Sequence, residues 1–158
     1  MENDDSTYKL VYYPNPALKE KLTEEVHWVT DEHRAVAQKM LRTMYASKGI
    51  GLSAPQVGLK IRLLVFDTGS GPTIMFNPFV TNWLPNKETS HEGCLSFPKL
   101  VKLVERKSTI LVRYRDENNI VHENQFDGLE ARVVQHELDH LNGIVMTDYN
   151  HVGKRRKA

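Results

Sequence analysis

Hydrophobic residues recur at helical spacing in two stretches of the chain and follow strand-like patterns between them. Val36, Ala37, Met40, Leu41 and Met44 fall on one face of a 3.6-residue period. They predict a first helix from about Asp31 to Tyr45, capped by Thr30 or Asp31 and stopped at "SKGIG". "KIRLLVFD" (Lys60–Asp67) and "PTIMFNP" (Pro72–Pro78) predict strands divided by the turn "TGSG". "STILVRYRD" (Ser108–Asp116) and "IVHENQFD" (Ile120–Asp127) alternate on either side of "ENN" and predict a hairpin. A second helix is expected from about Leu129 to Asn142, with Gly143 as its C-cap residue. Val134, Leu138 and Leu141 lie on one of its faces, and Leu129, Val133, His136 and His140 on another. A helix apolar on two sides belongs in the middle of a domain. The predicted class is therefore α+β: antiparallel strands packed around a buried central helix, with a second, N-terminal helix. "YYPNPAL", with two prolines, reads as an extended arm or a turn.

Size and composition narrow this picture. The chain has 158 residues, of which 40% are hydrophobic and 26% charged. That suits one domain, residues 1–150, with a short basic tail, residues 151–158. No apolar run approaches a membrane span, and the acidic start "MENDDSTYKL" does not read as a signal peptide. A single cysteine excludes an intrachain disulfide and fits a reducing cytoplasm. The net charge is +1, and "KRRK" (Lys154–Lys157) carries four of the cations. The remainder is slightly acidic, so DNA and membrane surfaces are not expected partners; any attraction to a polyanion is confined to the tail.

The second predicted helix carries "HELDH", His136 to His140. Two histidines one turn apart can be satisfied core residues. They can also be two metal ligands, with Glu137 offset to reach a water at the ion. A metal site needs a third ligand. Met146 stands where one extended form of the motif has a histidine, and no glutamate follows Glu137. Asp148 and His151 remain downstream. Upstream, "HEGCLSFP" (His91–Pro98) holds the lone cysteine, Cys94, whose thiolate with two imidazoles would leave a fourth position for water. A third stretch, "GIGLSAPQVG" (Gly49–Gly58), reads on its own as a helix stop and a tight loop, which gives Gln56 no role.

Taken together, "GIGLSAPQ", "EGCLS" and "QHELDH" resemble the three signature motifs of the peptide deformylases, in the family's order. The likeness runs from "YYPNPAL" to "HLNGIV". It implies a metal-dependent hydrolase that removes the N-formyl group from formylmethionine at the start of new polypeptides and releases formate. It implies Cys94, His136 and His140 as ligands of one divalent ion: ferrous iron in function, zinc or nickel in purified protein. Glu137 would be the general base and then the general acid. Gln56 and the Leu95 backbone N–H would stabilise the oxyanion. Ile50 and Gly51 would bind the substrate backbone. Leu129 and Val133 are expected to wall the methionine pocket, with Arg132 near its rim, and Glu92 to orient a ligand or the water. Ser53 departs from the family's usual alanine. The likeness is to a short form without the family's C-terminal helix, of a kind some phages carry. Its setting would be the cytoplasm of a bacterium, or of an infected host. The tail is expected to be solvated and disordered, with a weak contact to ribosomal RNA as the alternative. Two rival functions remain: a metallopeptidase that cleaves internal bonds, and a structural-zinc binding module with a basic tail.

Overall fold

The computed structural model of the protein describes residues 6–156. Helix α1 (Asp31–Ala46) begins where the pattern predicts. Thr30 is its cap, with the Thr30 hydroxyl accepting from the His33 amide and the His33 ring bonding back to the Thr30 N–H. Strands β1 (Gly51–Ser53), β2 (Leu63–Phe66) and β3 (Thr73–Trp83) follow. Next come β4 (Lys87–Cys94) and β5 (Phe97–Lys107), then β6 (Thr109–Arg115) and β7 (Val121–Asp127), and finally helix α2 (Gly128–Leu141). No helix among the described residues is long and apolar enough to cross a membrane.

A five-stranded sheet has the order β1-β2-β3-β6-β7, with each neighbouring pair antiparallel. Helices cover it on both faces. Along β2, Leu64 and Phe66 pack with Val133, Val134, Leu138 and Leu141 of α2. Leu63 and Val65 pack with Ala37, Met40, Leu41 and Met44 of α1. Burial on both faces explains the unbroken apolar run "LLVF". The fold is the expected α+β arrangement, with α2 buried along most of its length.

Three details depart from the pattern. Strand β3 runs through Pro78 instead of ending there, because the register shifts between Phe76 and Phe79. Asn77 takes a positive φ of 54° at that bulge, so the missing proline N–H removes no ladder bond. The hairpin of β4 and β5 has no counterpart in the predicted elements. Its first strand, "KETSHEGC", is mostly polar and exposed, so alternation gives no signal. At the end of α2, Asn142 is the cap; Gly143 follows it at φ 73°, where a Cβ would sit 2.5 Å from the Lys19 carbonyl oxygen.

The two ends of the described chain are tied to this frame. "YYPNPAL" ends in a single 3-10 turn, Pro16–Lys19. Before it, the Val11 amide donates to the Gln56 carbonyl at 2.7 Å and the Tyr13 amide to that of Ser96 at 3.0 Å. Tyr13 also stacks on Phe97. The tail is exposed, as its charge leads one to expect, but through Arg156 it is ordered by bonds to the domain and not a free segment. The Glu105 amide donates to the Gly153 carbonyl, Lys154 pairs with Glu105 at 3.0 Å, and Arg156 bonds to the carbonyls of Asp148 and Thr147. Lys157 lies outside the described residues.

Candidate active site

Helix α2 presents His136, Glu137 and His140, all buried, toward the tip of the β4–β5 hairpin. Cys94 lies at that tip, paired with Phe97 after a register irregularity at Gly93. Cys94, His136 and His140 each offer an atom that could bind a metal ion, and these atoms lie within 4.8 Å of one another. The Cys94 Sγ and His140 Nε2 are 3.3 Å apart. Sulfur and nitrogen ligands of one tetrahedral ion stand roughly 3.5 Å apart, since each bond is about 2.0–2.3 Å. A thiolate and two imidazoles suit zinc and ferrous iron alike. Downstream, Asp148 accepts from Lys19 and from the Val145 amide, so it is engaged elsewhere.

Glu92 fixes the first histidine. It is 7% exposed and accepts four bonds. Arg106 gives two, at 2.9 and 2.8 Å; Arg132 gives one at 2.6 Å; the His136 Nδ1 gives one at 2.9 Å. A carboxylate only accepts, so the proton lies on Nδ1 and the Nε2 lone pair is left for a cation. Burial alone would raise the Glu92 carboxyl. The bonds and charge of Arg106, with His136, outweigh it and hold Glu92 well below the usual carboxylate range. Arg106 continues the network to Asp139 at 2.7 Å and to the Tyr149 hydroxyl at 2.8 Å, and Tyr149 donates to Asp139 at 2.6 Å.

The sequence reading did not include Arg106, Asp139 or Tyr149. Arg106 sits in "LVERKS" with no motif around it, and only its pairing across 14 residues to Glu92 reveals its part. Arg132 is placed by its bonds to Glu92 and to the Val104 and Glu88 carbonyls, with part of its surface facing the cleft.

Burial opposes charge on His136, but the Cys94 sulfur and Glu92 outweigh it and raise it well above the usual histidine value, so a cation binding at Nε2 must displace a proton from that nitrogen. Burial, with the His136 and Arg106 charges, holds His140 well below that value. Burial pushes the Glu137 carboxyl up to about 7. Its Oε1 and the His140 Nδ1 are buried with no hydrogen-bond partner among the described residues. A buried carboxylate oxygen without a donor is costly by itself and fits a place where a cation or a water would sit.

Gln56 approaches from the other side, in a 3-10 turn, Ala54–Val57. Its Oε1 accepts from both the Ser53 amide and the Ser53 hydroxyl at 3.0 Å. That fixes the amide so that Nε2 points to Ser96 Oγ at 3.2 Å and Cys94 Sγ at 3.5 Å. The serine in place of alanine thus supplies a second anchor. A cleft of about 550 Å³ joins these groups. Ile50, Gly51, Gln56, Leu95, Leu129, Val133 and Glu137 all border it. Leu129 is 53% exposed at the mouth, whereas Val133 is buried deeper. A Cβ on Gly51 would stand 2.7 Å from Glu137 Oε2 and 2.7 Å from Val133 Cγ1, so only glycine lets β1 pass this close to α2. The Leu95 side chain packs against Gly49. Lys48 and His91 also line the cleft and were not singled out from sequence.

Comparison with known proteins finds relatives along most of the chain. Residues 7–156 match the polypeptide deformylase family. A peptide deformylase from Thermotoga sp. (strain RQ2) is 38% identical over 148 residues, covering 94% of this chain and 90% of that protein. The crystal structure of a peptide deformylase from Synechococcus elongatus, in complex with actinonin, superposes with a TM-score of 0.87 at 38% identity and covers 94% of this chain and 81% of its own. A probable peptide deformylase from Synechococcus phage S-SSM7 gives a TM-score of 0.86 at 38% identity, covering 90% and 99%. A match along nearly the whole described chain, with relatives this similar over most of their length, places the chain in the polypeptide deformylase family of metal-dependent hydrolases, which remove the N-formyl group from new peptides.

Proposed function

We propose that Cys94, His136 and His140 hold one divalent ion, that Glu137 carries the proton, and that Gln56 and the Leu95 N–H receive the developing oxyanion when a formylmethionyl peptide is hydrolysed. The observation that carries this reading is the clustering of Cys94, His136 and the fully buried His140 at a cleft that Cys94, His136, Glu137 and Gln56 line. A bound divalent ion supplies a Lewis acid for the formyl carbonyl and acidifies a water at the site. Glu137 takes the proton from that water, and its raised affinity for protons suits a group that must both accept and return one. The Gln56 amide is held by Ser53, so little reorganisation is needed when charge appears on the carbonyl oxygen. Glu137 then passes the proton to the departing amine, leaving formate and a free N-terminus. Ile50 and Gly51 border the peptide backbone, and Val133 with Leu129 walls the methionine side chain.

Ferrous iron is the proposed working ion, with zinc or nickel as substitutes in purified protein, because the thiolate makes a ferrous site sensitive to oxidation. The proposed setting is the cytoplasm of a bacterium or of a phage-infected host. A weak ribosomal contact by the tail would fall mainly on Arg155 among its described residues, since Lys154 and Arg156 have partners within the protein.

The test is formate release from formyl-Met-Ala-Ser by protein prepared anaerobically with ferrous iron. Glu137→Gln is expected to keep the ion and lose turnover by about 10²–10⁴-fold. Retention of the wild-type rate in that variant would sink the mechanism. New internal fragments in place of formate would favour the peptidase.

A further inference from the structure

We infer that Lys48 makes this chain selective for an acidic side chain at the third residue of the peptide, two after formylmethionine. The inference rests on the functional reading above. It begins from a backbone oddity. Helix α1 is capped by Ser47, and the next residue, Lys48, takes φ 57°. The Gly49 amide donates back to the Met44 carbonyl at 2.9 Å and the Lys48 amide to that of Tyr45 at 3.0 Å. This is the left-handed helix ending where glycine is the ordinary choice, and a side chain there is disfavoured by its Cβ. A lysine is kept at a position that favours glycine, and that position lines the cleft.

The cleft has a direction. Gln56 and Cys94 mark its deep end, where the formyl group must sit; Gly51, Ile50, Gly49 and Lys48 lead away from it. Strand β1 is the edge of the five-stranded sheet. The Ile50 carbonyl is taken by the Asp67 amide at 2.9 Å, so ladder alternation turns the Gly51 N–H and C=O to the open edge. A peptide added at that edge runs antiparallel to β1, and its later residues pass the earlier residues of this chain. Three residues from Gly51 to Lys48 span at most ~10 Å. The lysine's flexible stem therefore lies beside the third residue of the peptide.

The charge at the mouth is unopposed. Lys48 is exposed and makes no ion pair among the described residues. His91 borders the same mouth. Of the carboxylates around the cleft, Glu137 lies at the deep end against Gly51, and two others are held by donors within the protein. Asp67 accepts from Tyr45 Oη at 2.6 Å and from the Gly69 and Gly71 amides, and Glu92 is enclosed by Arg106 and Arg132.

The experiment compares kcat/KM for formyl-Met-Ala-Xaa-Ser-amide with Xaa as Glu, Gln or Lys, read by formate release at neutral pH. The ferrous wild type is expected to favour Glu over Lys about fivefold at low ionic strength, with the ratio shrinking toward one in high salt. Lys48→Glu should reverse the order. Lys48→Gly, which relieves the positive φ and so should not compromise folding, should erase it. A wild-type ratio near one, or a ratio unchanged in Lys48→Gly, overturns the inference and leaves the functional reading standing. Failure of the wild type to release formate even from the Gln peptide overturns both.

Discussion

Replacing Glu92 with glutamine isolates the group on which the metal end of the site depends. The native carboxylate accepts four bonds, from Arg106, Arg132 and His136. Glutamine keeps one acceptor oxygen and turns the other position into a donor facing donors. Arg106 retains Asp139 and Tyr149, and Arg132 retains two backbone carbonyls, so neither is wholly abandoned. Breaking a buried pair typically costs 3–5 kcal/mol, and the partners that remain put the expected loss near the lower end, about 3 kcal/mol. For a domain of this size that lowers the thermal midpoint by roughly 6–12 °C. His136 also loses its orienting acceptor, and ion affinity should fall about 10–100-fold. Urea unfolding of the ion-free protein gives the first quantity; competition with a chelator of known affinity gives the second. A variant within 1 kcal/mol of wild type that binds the ion equally well would refute the claim that Glu92 organises this end of the site.

The same carboxylate predicts a pH signature. Its native pKa is depressed, so its stabilisation is complete at neutral pH, starts to fade below the ordinary glutamate value of about 4.3, and is lost only below the native value. The stability gap between wild type and Glu92→Gln, both stripped of ion, should therefore hold down to about pH 5 and close under stronger acid. Gly51→Ala should force the Glu137 carboxylate or Val133 aside by several tenths of an ångström; formate release should fall about 10²-fold with stability reduced by roughly 1–3 kcal/mol, and an unchanged rate would contradict the close approach. Ser53→Ala should free one anchor of the Gln56 amide and lower kcat several-fold with KM little changed, as peptide titrations would show.

Sequence pattern revealed the parts of this protein whose burial repeats along the chain. The stripe Ala37, Met40, Leu41, Met44 gave α1, and the two apolar sides of α2 gave its central position. The β4–β5 hairpin escaped because its strands are held largely by cross-strand pairing of polar residues, which has no hydrophobic period. Cys94 could be singled out as the upstream sulfur, but Glu92 could not be told from a surface carboxylate. Its burial depends on Arg106 and Arg132, 14 and 40 residues away, and no local rule reports such a partner. The tail misled for the same reason. Its charge suggests a disordered segment, whereas Glu105 and the Asp148 and Thr147 carbonyls hold it, still exposed, against the domain.

The wedging of α2 between the sheet and the hairpin has a bearing on how such a protein can change over generations. His136, Glu137 and His140 sit on a helix whose neighbours are nearly all core, so almost any substitution beside them disturbs folding as well as chemistry. Lys48 lies outside that helix at the cleft's exposed mouth, and Leu129, in its first turn, is 53% exposed, so replacement at either leaves the helix's buried face untouched. Selection can therefore retune which peptides are accepted while the reacting centre stays fixed, and diversity among relatives should gather at the mouth.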